Sequence, residues 1–382
     1  MTLDLALAAC GDRDEAGALL ANLVSARSYP GEEAEVQKRV ADWLRAQGLS
    51  PESPEAGPNR PNVIAVIENG EGPTILLNGH VDTVLAAENW SSDPWEGRWD
   101  GDLYYGLGAC DMKSGVAAVM LAARALDQNR DGWRGRVLVT SVVDEEAYSL
   151  GAHALIDGGL EADYCIVTES AWSDPCLGCV GKILIQLDVT GKAAHATWPW
   201  EGVNAAIELA KFVAKLDEVP LMEHPRMRGS QTILSSMSGS AQYVVTVPEK
   251  ARALINRHTV PGETTEEILA AYQALVDSLN SPATFEFSIQ PPYYPSWETE
   301  IDTPIVAAME AAYVSETGAK PNSYGYWGFG DMNLFSSEAG IPTVMFGPRG
   351  GGFHQNDEWV DVTTIPAVAR MIVRMTHELL PE

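Results

Sequence analysis

Cations are scarce in this sequence. Of 382 residues, 25 are Lys or Arg against 53 Asp or Glu, a formal net charge of −28. Holding nucleic acid or an anionic membrane requires clustered Lys and Arg facing phosphate, so neither is expected as a partner. Cysteine is scarce as well. The five residues Cys10, Cys110, Cys165, Cys176 and Cys179 are odd in number and scattered. That excludes a disulfide-stapled secreted scaffold and points to a reducing cytoplasm. No apolar run approaches the ~20 residues of a membrane span. Leu7-Ala8-Ala9-Cys10 has the form of a lipoprotein cleavage box, yet Asp4 interrupts the apolar stretch and no Lys or Arg precedes it. This segment therefore reads as the first turns of a helix, not as a signal peptide. Internal repeats and low-complexity tracts are missing too. What remains is globular, with 46% hydrophobic and 20% charged residues and a length suited to about two to three domains.

Hydrophobic periodicity divides the chain into two styles. Residues 12–29, 32–48 and 114–127 read as helices, and 62–68, 74–78, 136–143 and 164–168 as short apolar strands. Strands alternating with helices predict an α/β layer: a mixed, largely parallel sheet flanked by helices. From about residue 182 the rhythm changes. A strand at 183–189, a helix at 203–216, strands at 231–236, 243–247 and 251–256, a helix at 265–279 and a strand at 284–290 follow. That order resembles a ferredoxin-like α+β sandwich. Pro291, Pro292 and Pro295 close it, after which helices at 304–317 and 332–339 and a strand at 343–346 resume the first style. The expected organisation is one α/β domain in two pieces, 1–181 and 293–382, with a smaller domain, 182–292, inserted between them.

Chemistry-bearing residues follow the apolar strands. His80 and Asp82 come after Ile75-Leu76-Leu77. An imidazole and a carboxylate two residues apart share a face of an extended chain, which suits a metal ligand and the group that orients it, although a hydrogen-bonded pair at a strand end has the same spacing. The glycine-rich run Gly106-Leu107-Gly108-Ala109-Cys110-Asp111 delivers Asp111 just before a helix. Asp111 could cap that helix or be aimed at an ion; the spacing matches no phosphate-binding loop. Asp144-Glu145-Glu146 ends a β-branched strand. Three adjacent acids repel one another, a cost that a cation among them would offset; an acidic helix N-terminus is the plainer alternative. Glu169 ends the strand Ile166-Val167-Thr168, and His354 follows Phe346 and a glycine-rich stretch. Ligands of open α/β sheets gather outside the carboxyl ends of strands, so these positions converge on one edge.

Taken together and in order, these residues resemble the dinuclear-zinc amidohydrolases and exopeptidases that include acetylornithine deacetylase, succinyl-diaminopimelate desuccinylase, aminoacylase and glutamate carboxypeptidase. The resemblance runs through Gly79-His80-Val81-Asp82-Thr83, Gly108-Ala109-Cys110-Asp111-Met112-Lys113, Asp144-Glu145-Glu146, Glu169, Gly191-Lys192-Ala193-Ala194-His195-Ala196, Pro261-Gly262-Glu263, Gly340-Ile341-Pro342 and His354. It implies a zinc-exopeptidase-like fold and two divalent cations, zinc first, with cobalt or manganese as alternatives. His80 and Glu169 would bind one cation, Glu146 and His354 the other, and Asp111 would bridge them ahead of a cis peptide to Met112. Asp82 would orient His80, and Glu145 would be the general base. The inserted domain would form a homodimer, and His195 would reach the partner subunit's site to stabilise an oxyanion. Two cations roughly 3.5–4 Å apart acidify a water and polarise an amide carbonyl. The implied activity is cleavage of a small N-acyl amino acid or related amide; a dipeptidase, a carboxypeptidase or a hydrolase of another C–N bond are the alternatives.

Three positions depart from the relatives' pattern, all on the substrate side. Asn256-Arg257-His258 places His258 where relatives carry an Arg for a substrate carboxylate, Val245 stands where Asn is frequent, and Leu107 where Arg is frequent. Arg257 and Arg349 are the cations available to replace that clamp, with Arg257 on the strand face opposite His258. Cys176-Leu177-Gly178-Cys179 has the spacing of half a zinc ribbon but no second pair to complete it. Trp90, Trp95, Trp99, Trp198, Trp200 and Trp327 lie near these motifs in sequence, as packing residues or as walls of an apolar pocket.

Overall fold

The computed structural model describes residues 2–322, 324–325 and 328–382; Trp327 lies outside the described residues. The chain forms two units, residues 1–178 with 298–382, and residues 179–297. The second unit thus begins three residues before and ends five residues after the 182–292 read from the sequence.

The first unit is built on a five-stranded sheet in the order Thr343–Met345, Tyr164–Val167, Thr74–His80, Gly135–Val142, Val63–Asn69. The first four strands run parallel, and Val63–Asn69 is antiparallel at the edge. Thr74–His80, in the middle, is buried from Ile75 to His80, as expected of a strand covered on both faces. That edge strand instead alternates, Val63, Ala65 and Ile67 inward. Helix Ser114–Gln128 packs on strands Thr74–His80 and Gly135–Val142, helix Pro304–Thr317 on strand Thr343–Met345, and helix Thr364–Leu379 against both of these helices. Ser114–Gln128 is Ala-rich and buried over most of its surface, which lets it lie close against the strands. Gly115 marks the closest approach, because a Cβ there would overlap the Thr168 carbonyl. A second, four-stranded antiparallel sheet, Arg98–Asp100, Leu103–Tyr105, Trp359–Asp361 and Gly350–Gly351, was not legible in the sequence.

The second unit has strands Gly181–Thr190, Gln231–Ser240, Lys250–Thr259 and Thr284–Tyr294 and helices Ala205–Val213 and Thr265–Ser278. Across the sheet the strands lie fourth, first, third, second, all neighbours antiparallel. Gly181–Thr190 alternates strictly, so Ile183, Ile185, Leu187 and Val189 meet Leu209, Phe212 and Tyr272 in one core. Asn204 caps the first helix, and a Thr264–Glu267 capping box opens the second.

The strand expected at 243–247 is instead part of a loop. Ser240 pairs with Lys250, so the residues between them must turn back. Thr246 N–H bonds to the Tyr243 carbonyl at 3.0 Å, and Val244 is 99% exposed.

Candidate metal centre

Three parallel strands deliver their next residues to one edge. His80 ends Thr74–His80, Glu145 and Glu146 follow Gly135–Val142, and Glu169 follows Tyr164–Val167. His80 Nε2 lies 3.2 Å from Asp111 Oδ1 and 3.1 Å from Glu169 Oε1. His354 Nε2 lies 3.2 Å from Asp111 Oδ2 and 3.1 Å from Glu146. Asp111 therefore turns one carboxylate oxygen to each imidazole. Glu145 stands further off, its Oε2 3.8 Å from His80 Nε2.

Local backbone features set these positions. Gly108 adopts φ +75°, and the Asp111–Met112 peptide is cis. The buried Glu358 carboxylate accepts N–H bonds from Gly108, Cys110 and Asp111 at 2.9, 2.6 and 2.9 Å, fixing the loop that presents Asp111. The adjacent acids divide their tasks. Asp144, at φ +71°, pairs with Arg60 and points away from the cluster. Glu145 and Glu146 donate their backbone N–H groups to the Asp82 carboxylate at 3.1 and 2.9 Å. Asp82 thus tethers the acidic turn as well as facing His80. It meets His80 Nδ1 through its backbone carbonyl at 3.1 Å, with the carboxylate at 3.5 Å.

The electrostatics follow from burial and crowding. Burial, with the carboxylates of Asp331, Glu169 and Glu146 nearby, pushes Glu145 well above the usual range. Burial and Asp111 push Glu169 up to about 7. Burial opposes charge on Asp111, yet the imidazoles of His354 and His80 beside it hold it well below the ordinary value. His354 is raised to about 10 by hydrogen bonding to Asp111 and Glu146. Burial disfavours a charged His80, and Glu145 and Asp111 outweigh it, so His80 is raised too.

These residues fit a pair of cations. His80 Nε2 is buried without a hydrogen-bond partner while aimed at two carboxylates, an arrangement that a cation satisfies. Two ligand groups are within reach of a common point, His80 with Asp111 and Glu146, and His80 with Glu145 and Glu169. Carboxylate oxygens with imidazole nitrogen suit zinc, and also manganese or cobalt.

Of the remaining sequence candidates, His195, Arg257 and His258 belong to the second unit. His195 is on an exposed loop of the second unit, its Nδ1 2.8 Å from Thr197 Oγ1 and its ring 5.3 Å from that of Trp198. Arg257 is 1% exposed and engaged internally, by Glu263, by Thr232 Oγ1 at 3.0 Å and by Ser230 Oγ at 3.2 Å. A buried pair of this kind is costly to break, so Arg257 is held by the second unit's own packing. His258, on the opposite face, is half-buried, and burial and Lys182 lower its pKa. Arg349 faces Asp361 at 3.9 Å on the surface, and Leu107 is buried. None of the five cysteines forms a disulfide. Trp99 packs on Tyr104 beneath Arg13, and Trp95 on Tyr29; both are packing residues.

Three further residues carry the site and were not found from the sequence. They are Glu358, the buried Asp331, whose carboxyl burial raises to about 6, and Gly330, where a Cβ would overlap the Glu145 carboxylate. A lone Glu before a short strand and a Gly-Asp pair at the start of a short helix are too common to stand out; only the distant partners reveal them.

The sequence model for "Peptidase family M20/M25/M40" matches residues 76–378. A succinyl-diaminopimelate desuccinylase of Methylobacterium radiotolerans is 27% identical over 386 residues, covering 96% of this chain and 97% of its own. An acetylornithine deacetylase of Vibrio campbellii is 37% identical over 174 residues, 45% of each chain. The crystal structure of the aminopeptidase PepT from Bacillus cereus is similar with a TM-score of 0.79 at 21% identity, over 97% of this chain and 99% of that one. Among the described residues no helix is long and apolar enough to cross a membrane.

Proposed function

Because the chain belongs to peptidase family M20/M25/M40, we propose that it hydrolyses the amide bond of a small N-acyl amino acid or a close relative of one, with Glu145 as general base. It is a metal-dependent hydrolase of amide or other C–N bonds with a two-cation site. In our reading His80 and Glu169 hold one cation, Glu146 and His354 the other, and Asp111 lies between them. When bound, the cations lower the pKa of water and polarise the scissile carbonyl.

The observation that carries this reading is the division of labour among the carboxylates. Asp111, Glu146 and Glu169 each lie within 3.2 Å of an imidazole nitrogen, whereas Glu145 is 3.8 Å away. Glu145 is therefore the acid left to move a proton. Its burial among like charges raises its affinity for that proton, which suits a base that must later act as an acid. Glu145 takes a proton from the attacking water as the C–O bond forms, and passes it to the nitrogen as the C–N bond breaks. Asp82, by tethering the Glu145–Glu146 backbone, keeps base and ligand in register.

In the same reading the second unit is a dimerisation domain, and His195 of each subunit stabilises the oxyanion formed in the other. Its long edge strand Gln231–Ser240, with Ile233 and Met237 exposed, supports this, since such edges invite pairing. A panel of N-acetyl and N-succinyl amino acids and dipeptides, assayed with zinc-loaded protein, tests the activity. Turnover of the acyl amino acids is expected. Preference for dipeptides would make the protein a dipeptidase, and no cleavage of either set would refute the reading.

A further inference from the structure

A cavity of about 230 Å³ opens beside the metal centre within the first unit. Its floor is formed by Asp111, Glu145, Glu146, Glu169 and His354. Its walls are mostly apolar, Phe329, Met332, Met345 and Phe353, and the one polar wall residue in the described lining, Ser170, donates its hydroxyl to the Pro348 carbonyl. The described lining contains no Lys or Arg, and its one imidazole, His354, is already engaged by Asp111 and Glu146. A charged substrate group placed here would leave water for an apolar wall that offers it no partner. An uncharged ring or short hydrocarbon chain would lose only its contact with water. Two phenylalanine rings and two thioethers are also the side chains that adapt best to a flat ring, through edge contacts and S–π contacts. The volume admits one such group, not a long peptide.

We propose that this cavity is a specificity pocket for an uncharged apolar group, aromatic or short aliphatic, carried next to the scissile amide. The proposal rests on the amidohydrolase reading above and names its substrate class.

Two substrate series on zinc-loaded protein test it. One varies the acyl group on alanine (acetyl, succinyl, benzoyl, hexanoyl), and the other varies the amino acid of an N-acetyl compound (aspartate, lysine, phenylalanine). In at least one series the apolar member is expected to exceed the charged members in kcat/KM by about tenfold or more, as burial of a ring implies. The series in which this happens identifies the side of the amide that enters the pocket. Phe329→Ala is expected to reduce that ratio at least about fivefold. Binding supplies a second readout: by calorimetry, benzamide should bind the zinc-loaded protein about tenfold more tightly than acetamide. Cleavage with charged groups preferred in both series, or equal binding of the two amides, would overturn the pocket while leaving the amidohydrolase reading intact. Absence of cleavage in every member would remove that reading and this proposal together.

Discussion

His80 and His195 are the two histidines on which the proposed chemistry most depends, and the molecule holds them in opposite ways. His80 sits at the end of the central strand, 1% exposed, with Asp82 on one ring nitrogen and Asp111 and Glu169 on the other. His195 lies on an exposed loop of the second unit, steadied by Thr197 and the tilted ring of Trp198. The first unit builds its site from groups locked by packing and crossed hydrogen bonds, as a rigid cation cage requires. The second unit confines its buried polar pair, Arg257 and Glu263, to its own interior and leaves His195 exposed. A fault in the first region should therefore cost metal or proton transfer, and a fault in the second only turnover.

The largest expected effect belongs to the base. Glu145→Gln should lower kcat by about 10³–10⁴ while zinc content and melting temperature stay as in the parent; loss of zinc would instead make Glu145 a ligand. His195→Ala should cost about 10²–10³ in kcat with both cations retained. Mixing it with Glu145→Gln should restore activity, because a mixed dimer contains one site with an intact base and an intact His195. If mixing restores nothing, His195 does not act across subunits. Gly330→Ala should cost about 10² in kcat, since the new methyl displaces the Glu145 carboxylate, with KM little changed; a change in KM alone would place Gly330 in substrate binding.

Much of this site can be read from the chain because its residues follow apolar runs whose direction is fixed by the parallel sheet. His80, Glu145, Glu146 and Glu169 stand just beyond β-branched or aliphatic segments, and the edge they reach is a property of such sheets. What could not be read depends on contacts between distant residues. Glu358 braces the Asp111 loop from about 250 positions away, and its neighbours in sequence give no hint of that. The pocket walls proved to be Phe329 and Phe353, whereas Trp95 and Trp99 pack against other side chains. The run 243–247 has strand composition but bridges the paired ends Ser240 and Lys250, so topology overrides propensity there.

A smaller effect concerns protons. Without a cation Glu169 is pushed up to about 7 and His354 to about 10, so at neutral pH His354 carries a proton and Glu169 carries one about half the time, and a cation must displace them. Zinc binding should then release protons and tighten as pH rises towards 8. Calorimetry in two buffers of different ionisation enthalpy would show this as a buffer-dependent heat; identical heats would contradict it.

The most direct test is a count of zinc ions at equilibrium dialysis in the parent protein and in Glu169→Ala. Two ions per chain in the parent and one in the variant are expected, with the second ion still held by Glu146 and His354. A parent that binds one ion or none, or a variant that still holds two, would contradict a centre built from His80, Asp111, Glu146, Glu169 and His354.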